Sequence, residues 1–277
     1  GVYIDHSNND TVNISNLNIR NNYAYYGGGG IAAIGGYVFI KNCKITNNTV
    51  DVNTSEVTYA GGLYSQTNTE VKNSIFLNNS GRGSSHIYTK GSQLSIVNSN
   101  IISTSVEYAI WAWQSDLSII NSIIITNQNG QGPIMKQSAN VSVSYSLFNS
   151  YYSGVGNINA DPLFVNSVGG DYHLSNFSTC IGAGLDTSIV PTTDLDGNIR
   201  PNPAGSNPDM GAYEHVLGTY DILGCMDTLA TNFDPSANIN DSSLCTYCYA
   251  IADFGTDSIV ACDSTVLTTP VSIVSTY

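Results

Sequence analysis

The chain has 277 residues, 42% of them apolar and only 10% charged, with 26 Gly and 32 Asn. No run of eighteen apolar residues occurs, so no segment reads as a membrane-crossing helix, and 8 Lys plus Arg against 21 Asp plus Glu would repel a phosphate backbone, which argues against nucleic-acid binding. Asn, Ser, Thr, Ile, Val, Tyr and Gly dominate, residues that favour strands and turns over helices, and the expected fold class is all-β.

Charge is unevenly placed: residues 1–150 hold seven acids and seven bases, whereas 151–277 hold fourteen acids against Arg200 alone. Such asymmetry marks separate modules. The chain starts at Gly1 and stops at Tyr277 in a strand-like run, and is expected to be a piece of something longer.

Six segments align without internal gaps: VNISNLNI (12–19), VFIKNCKI (38–45), TEVKNSIF (69–76), LSIVNSNI (94–101), LSIINSII (117–124) and VSVSYSLF (141–148). Their fifth residues are Asn16, Asn42, Asn73, Asn98, Asn121 and Tyr145, spaced by 26, 31, 25, 23 and 24, a period that signals a solenoid. A leucine-rich repeat of similar period would need several Leu per coil, and residues 1–150 contain six. Two positions earlier stand Ile14, Ile40, Val71, Ile96, Ile119 and Val143; three positions later stand Ile19, Ile45, Phe76, Ile101, Ile124 and Phe148. Both columns should face inward, yet they lie an odd number of residues apart, and a strand keeps one face only at even separations. The chain must therefore bend at the Asn, which tolerates the left-handed conformation. Stacked Asn16, Asn42, Asn73, Asn98 and Asn121 are expected to form a hydrogen-bonded ladder between coils. Cys43 occupies a column otherwise filled by Leu17, Ser74, Ser99, Ser122 and Ser146, the place of a small inward residue and a buried thiol.

A second strand per repeat is anchored by Ile31, Leu63, Ile87, Ile110 and Ile134, with an inserted loop near 50–58. Beside these anchors the outward positions read Ala32, Tyr64, Tyr88, Trp111 and Met135, and two residues further Ile34, Gln66, Lys90, Trp113 and Gln137. Rings repeated at about 4.8 Å, one rung apart, can stack on sugar faces while amides hydrogen-bond hydroxyls. Tyr64, Tyr88, Trp111, Trp113, Gln66 and Lys90 are thus candidate carbohydrate-binding residues, although aromatic stacks also stabilise sheet faces. Neither column holds a carboxylate, whereas glycoside hydrolysis needs two, and Lys90 is the sole basic candidate for a lyase. His86 and Asp116 leave room for a site assembled from loops. Val97, Ile120, Ile75, Ile123 and Leu147 form an outward apolar patch too large to stay wet, which residues 151–175 are expected to cover.

The Gly-rich strand followed by x-[IVL]-x-N-S-x-[IF] resembles the right-handed parallel β-helix of the pectate-lyase-like superfamily. GNINADPLFVNSVGGDYHLSNFSTCIGAG (156–184) and TDLDGNIRPNPAGSNPDMGAYE (193–214) resemble the terminal signature of choice-of-anchor β-helix domains of bacterial surface proteins, which implies a segment closing the solenoid. GCMDTLATNFDPSANINDSSLCTY (224–247) resembles a short GC-x-D…D-x-S-C repeat of secreted bacterial proteins, and 248–277 resembles the opening strands of an immunoglobulin-like or PKD-like domain. The expected organisation is β-helix coils over 1–150, a closing region over 151–217, a stapled acidic module over 218–247 and the start of a β-sandwich over 248–277.

Four of six cysteines crowd the last modules, as in small secreted domains that lack core, and the expected pairs are Cys225 with Cys245 and Cys248 with Cys262. Asp227, Asn232, Asp234, Asn238 and Asp241 could supply hard oxygen ligands to Ca2+, or simply make turns. Asp194, Asp196 and Asn198 have the spacing of a calcium-loop start, but the Glu that would complete it is missing and a turn is expected. Taken with the resemblances, these features imply an extracellular or bacterial cell-surface scaffold or adhesin that binds polysaccharide without cleaving it. The alternative is a polysaccharide lyase or glycoside hydrolase whose catalytic coils lie outside these residues or in their loops.

Overall fold

Each repeat writes three short strands separated by bends, and in the computed structural model those strands stack rung upon rung. The structure describes residues 1–5, 10–51, 60–81, 84–104, 107–127, 132–216, 223–235, 237, 239–247, 250–253 and 258–260. The first sheet contains Val2–Ile4, Ile31–Ala33, Leu63–Ser65, Ser84–Lys90, Tyr108–Trp113 and Ile134–Gln137. The second contains Thr11–Ser15, Tyr37–Lys41, Asn68–Lys72, Gln93–Val97, Asp116–Ile120 and Asn140–Ser144. The third runs from Asn18–Arg20 through Lys44–Thr46, Ile75–Leu77, Asn100–Ile102, Ile123–Ile125 and Leu147–Phe148 to Ile158–Asn159. Neighbouring strands in all three are parallel, as a coil that always winds in one sense requires. No described helix is long and apolar enough to cross a membrane.

The inward columns read from the repeat are paired residue for residue. Ile14, Ile40, Val71, Ile96, Ile119 and Val143 lie in register across the second sheet. Ile19, Ile45, Phe76, Ile101, Ile124 and Phe148 do so across the third. With the first-sheet anchors they form one continuous core. The bend between the second and third sheets places Asn16, Asn42, Asn73, Asn98 and Asn121 at φ of 46–57°, and Tyr145 at 47°. Where the third sheet leads into the first, Gly30 and Gly62 stack so closely that a Cβ on Gly62 would meet the His86 carbonyl oxygen at 2.5 Å, so only glycine fits.

The expected Asn ladder forms only in its first rungs: Asn42 Nδ2 donates to Asn16 Oδ1 at 3.2 Å and Asn73 Nδ2 to Asn42 Oδ1 at 3.3 Å. Beyond them the column turns to another partner. Asn98 Nδ2 donates to the Asp209 carbonyl at 3.0 Å, and Asn121 exchanges two bonds with the Leu185 backbone at 2.8 and 2.9 Å. The reason is that residues 185–214 run back along the outside of the solenoid and compete for those amides. A fuller ladder lies inside, where Asn48 Oδ1 accepts from the Asn22 backbone and amide and Asn79 Oδ1 from those of Asn48, all at 2.8–3.1 Å.

The serine column is a third ladder. The hydroxyls of Ser74, Ser99, Ser122 and Ser146 accept from the backbone N–H groups of Cys43, Ser74, Ser99 and Ser122 at 3.1–3.2 Å. Each hydroxyl also donates to the carbonyl two residues before it, at 2.8–3.0 Å. Buried polar groups cost free energy unless paired, and this column pairs one backbone donor per rung. Cys43 heads it as a buried free thiol.

Past the last full coil, Tyr152 stacks on Phe148 with centroids 4.7 Å apart, and the chain then doubles back as a strap. Tyr172, Ala212 and Tyr213 pack on Ile75 and Ile102; Leu174, Cys180 and Met210 pack on Ile123 and Leu147. The cover over the apolar patch thus extends past the expected 151–175 to residue 213, because the patch climbs several rungs and needs a long segment to shield it. Arg200 locks the strap. Its Nε donates to Glu214 at 2.7 Å, one terminal nitrogen to Asn73 Oδ1 at 2.9 Å and the other to the Gly211 carbonyl at 3.1 Å.

The chain divides into two compact units, 1–217 and 218–277. In the second, Leu223–Gly224 pairs in parallel with Ile239–Asn240, Cys225 and Cys245 form a disulfide, and Ala250–Asp253 pairs antiparallel with Ser258–Val260. The expected Cys248–Cys262 pair and Asn238 lie outside the described residues.

Candidate functional site

On the first sheet Ala32, Tyr64, Tyr88, Trp111 and Met135 are in register, as are Lys90, Trp113 and Gln137. Tyr3 extends the first column and is exposed; it precedes the first aligned repeat, so the periodicity did not reach it. Tyr64 and Tyr88 stack with centroids 5.8 Å apart, Trp111 meets Tyr88 edge-on at 5.4 Å, and Lys90 Nζ sits 5.0 Å from the Trp113 ring centre. The expectation of a uniformly exposed ladder is corrected at its centre. Tyr64 is 5% exposed and Tyr88 1%, in a cluster with Ala32 and Ala60: Gly27 lies against the Tyr64 ring, and Tyr88 is flanked by the rings of Tyr64, Trp111 and Trp113. Trp111, Trp113, Gln66 and Lys90 are half-buried and Gln137 is exposed.

His86 and Asp116 do not join this face. His86 is fully buried and takes a hydrogen bond from Asn79 Nδ2 at 3.1 Å, and burial pushes its pKa down to about 3; it is a neutral core histidine with no access to a substrate. Asp116 projects from the second sheet, where it accepts from Asn140 Nδ2 at 2.8 Å.

The outer face of the second sheet is a site the repeat reading passed over. Phe39, Glu70, Ser95, Ser118 and Ser142 form one outward column and Gln93, Asp116 and Asn140 another. All of these except Phe39 line, together with Tyr37, a groove of about 420 Å³, with Glu70 ion-paired to Lys72 at 3.0 Å. The signal was present in the sequence: the register that set the inward columns also sets these.

A titrating cluster lies on the strap. His173 Nδ1 is 2.6 Å from Asp171 and its Nε2 2.8 Å from Asp196, with the ring 3.9 Å from Tyr213. Partial burial alone would lower the His173 pKa, but hydrogen bonds to the two carboxylates outweigh it and raise it. The His173 N–H and imidazole hold Asp171 below the usual carboxylate range. Asp194, read as a turn former, accepts from the backbones of Asp196, Asn198 and Glu214 at 2.8–2.9 Å, a cap with its oxygens spent.

In the second unit Asp227 accepts from Leu229 N at 2.9 Å and from the Tyr247 hydroxyl at 2.7 Å, and Asp241 accepts from Ser243 N at 2.9 Å. Asn232 ties Leu244 and Thr246 together at 2.8 Å, and Asp234 N donates to the Cys225 carbonyl. Asp227 and Asp241 therefore cap turns, and among the described residues no three His, Cys, Asp or Glu gather so as to hold a metal ion.

Residues 1–168 match a family model described as a right-handed beta helix region. Neither the curated proteins nor the solved structures contain a match.

Proposed function

The chain belongs to the right-handed β-helix family, and from that premise we propose that it is an extracellular scaffold which binds polysaccharide on the outer face of its first sheet. The observation that supports this most is the half-buried group of Trp111, Trp113 and Lys90 on adjacent registered strands. Indole faces carry sugar C–H surfaces, while an ammonium and the neighbouring Gln66 and Gln137 supply polar contacts. A binding role without cleavage fits the composition of these columns, which offer aromatic and amide groups and no carboxylate. The Cys225–Cys245 disulfide is consistent with an oxidising compartment. The stapled module and the 248–277 segment then read as further modules of the same displayed protein.

Trp111 and Trp113 are the two tryptophans of the chain, so tryptophan emission, excited selectively over that of tyrosine, reports on this face alone. Titration with neutral and acidic polysaccharides, with and without Ca2+, is expected to give a saturable emission shift that Trp113→Ala reduces at least tenfold, with no unsaturated or reducing product. Product formation would establish the lyase or hydrolase reading instead, and an unresponsive emission across the panel would leave a purely structural stalk.

A further inference from the structure

We infer that the outer face of the second sheet is a second ligand site, a trough that holds an extended uncharged polysaccharide along the solenoid axis. Three depressions share walls there. The groove of about 420 Å³ continues at Glu70 into one of about 450 Å³ bounded by Lys41, Lys72 and residues 188–191 of the strap. At Gln93 and Asp116 it continues into a polar hollow of about 270 Å³. The first groove alone crosses five successive strands, from Tyr37–Lys41 to Asn140–Ser144. Unlike Tyr64 and Tyr88 on the first sheet, its lining residues Gln93, Asp116, Ser118, Asn140 and Ser142 are exposed.

The lining chemistry selects the occupant. Ser95, Ser118 and Ser142 present one hydroxyl per rung in register, flanked by Gln93, Asp116 and Asn140, so donors and acceptors repeat at about 4.8 Å. That repeat is close to the advance of one pyranose residue along an extended chain, which places one sugar over each strand. Tyr37 in the first groove and Phe39 in the second, with ring centres 4.9 Å apart, set an apolar platform of the kind sugar faces use where the two meet. Charge argues for a neutral polymer: Lys72 is spent on Glu70 at 3.0 Å, and Glu70 and Asp116 together are balanced by Lys41 and Lys72. An anionic chain would meet the exposed carboxylate of Asp116.

The site is independent of the first-sheet face, and the test separates them. Calorimetric titration of the intact chain uses cellohexaose, xylohexaose and mannohexaose, with hexagalacturonate as the anionic control. At least one neutral hexaose should bind, more tightly than its trimer because more rungs are engaged, and hexagalacturonate should not. The double variant Ser118→Arg with Ser142→Arg fills the trough from exposed positions; it should keep the wild-type thermal midpoint and bind at least tenfold more weakly. The series is repeated in the Trp113→Ala background, in which the first-sheet face no longer contributes, and the neutral hexaose should still bind there. Failure of all three neutral hexaoses to bind overturns the proposal. So does hexaose binding that survives the double Arg variant in the Trp113→Ala background, or that disappears in Trp113→Ala alone, which would place the ligand on the first sheet. Should the double Arg variant shift the midpoint, the smaller Gln93→Ala with Asp116→Ala must show the same loss of binding, or the proposal fails.

Discussion

His86 and His173 respond to protons in opposite senses, for reasons visible in their surroundings. His86 is sealed in the core and its folded pKa is near 3, so below about pH 6.5 the unfolded chain takes up a proton that the folded one refuses. Its contribution is complete above that pH and falls as pH drops, by on the order of 3 kcal/mol at pH 4. Urea unfolding between pH 4 and 8 should therefore show a shallower acid loss in His86→Gln than in wild type; equal slopes would contradict the assignment. His173 has the raised pKa, so its clasp of Asp171 and Asp196 stabilises below about pH 6.5 and is lost as pH rises through the folded value. His173→Ala should cost most near pH 5.5 and almost nothing at pH 9. The serine column makes a third residue-scale case. Ser122→Ala would strip the buried Ser99 N–H of its acceptor, at roughly 1–3 kcal/mol, whereas Ser118→Ala, on the exposed face, should be neutral within about 0.5 kcal/mol. That the Ser positions were small and inward was legible from the repeat; that each hydroxyl serves the next rung's backbone was not, since bonding depends on neighbours two dozen residues away.

At the scale of elements, the strap decides what the later Asn residues do. Arg200, Glu214 and Asp209 are almost completely buried, and burial, with Glu214 nearby, raises Asp209 to about 7. Removing one partner of a buried ion pair leaves an uncompensated charge, at about 3–5 kcal/mol. Arg200→Met should therefore loosen residues 185–214 and uncover Ile75, Ile123 and Leu147. Limited proteolysis is expected to cut within that segment and a dye for apolar surface to bind, while the emission of Trp111 and Trp113 stays as in wild type. A strap that remains resistant to protease would show that apolar packing alone holds it. The outward patch announced in the sequence that something must cover it, but its cover could not be sized from the chain, because the shielding segment follows several rungs rather than one.

For the molecule as a whole, the two units rely on different sources of stability. The first has a continuous aliphatic core, and its two described thiols, Cys43 and Cys180, are buried and free, with burial pushing Cys180 up to about 12. The second is small and holds a disulfide closing a separation of 20 residues, for which chain-entropy reasoning gives about 3 kcal/mol. Reductant should therefore lower the thermal transition of the second unit and leave that of the first in place, as calorimetry would show; a shift of both would mean that the two do not unfold independently.

The sequence by itself determined the coil: its period, its inward columns and the left-handed Asn bends follow from local geometry repeated at fixed spacing, and the register across all three sheets agrees with them. It also located the Cys225–Cys245 staple and the residues of the aromatic column. Tertiary structure decided which of those residues remain accessible, since Tyr64 is covered from Gly27 and Tyr88 is enclosed by rings of the neighbouring rungs. It likewise decided that Asn98 and Asn121 bond the strap rather than one another, and that three depressions join into one trough. Periodicity is a property of each repeat and can be read along the chain, whereas accessibility and hydrogen-bond choice depend on whatever folds back over the repeats, and no single repeat encodes that.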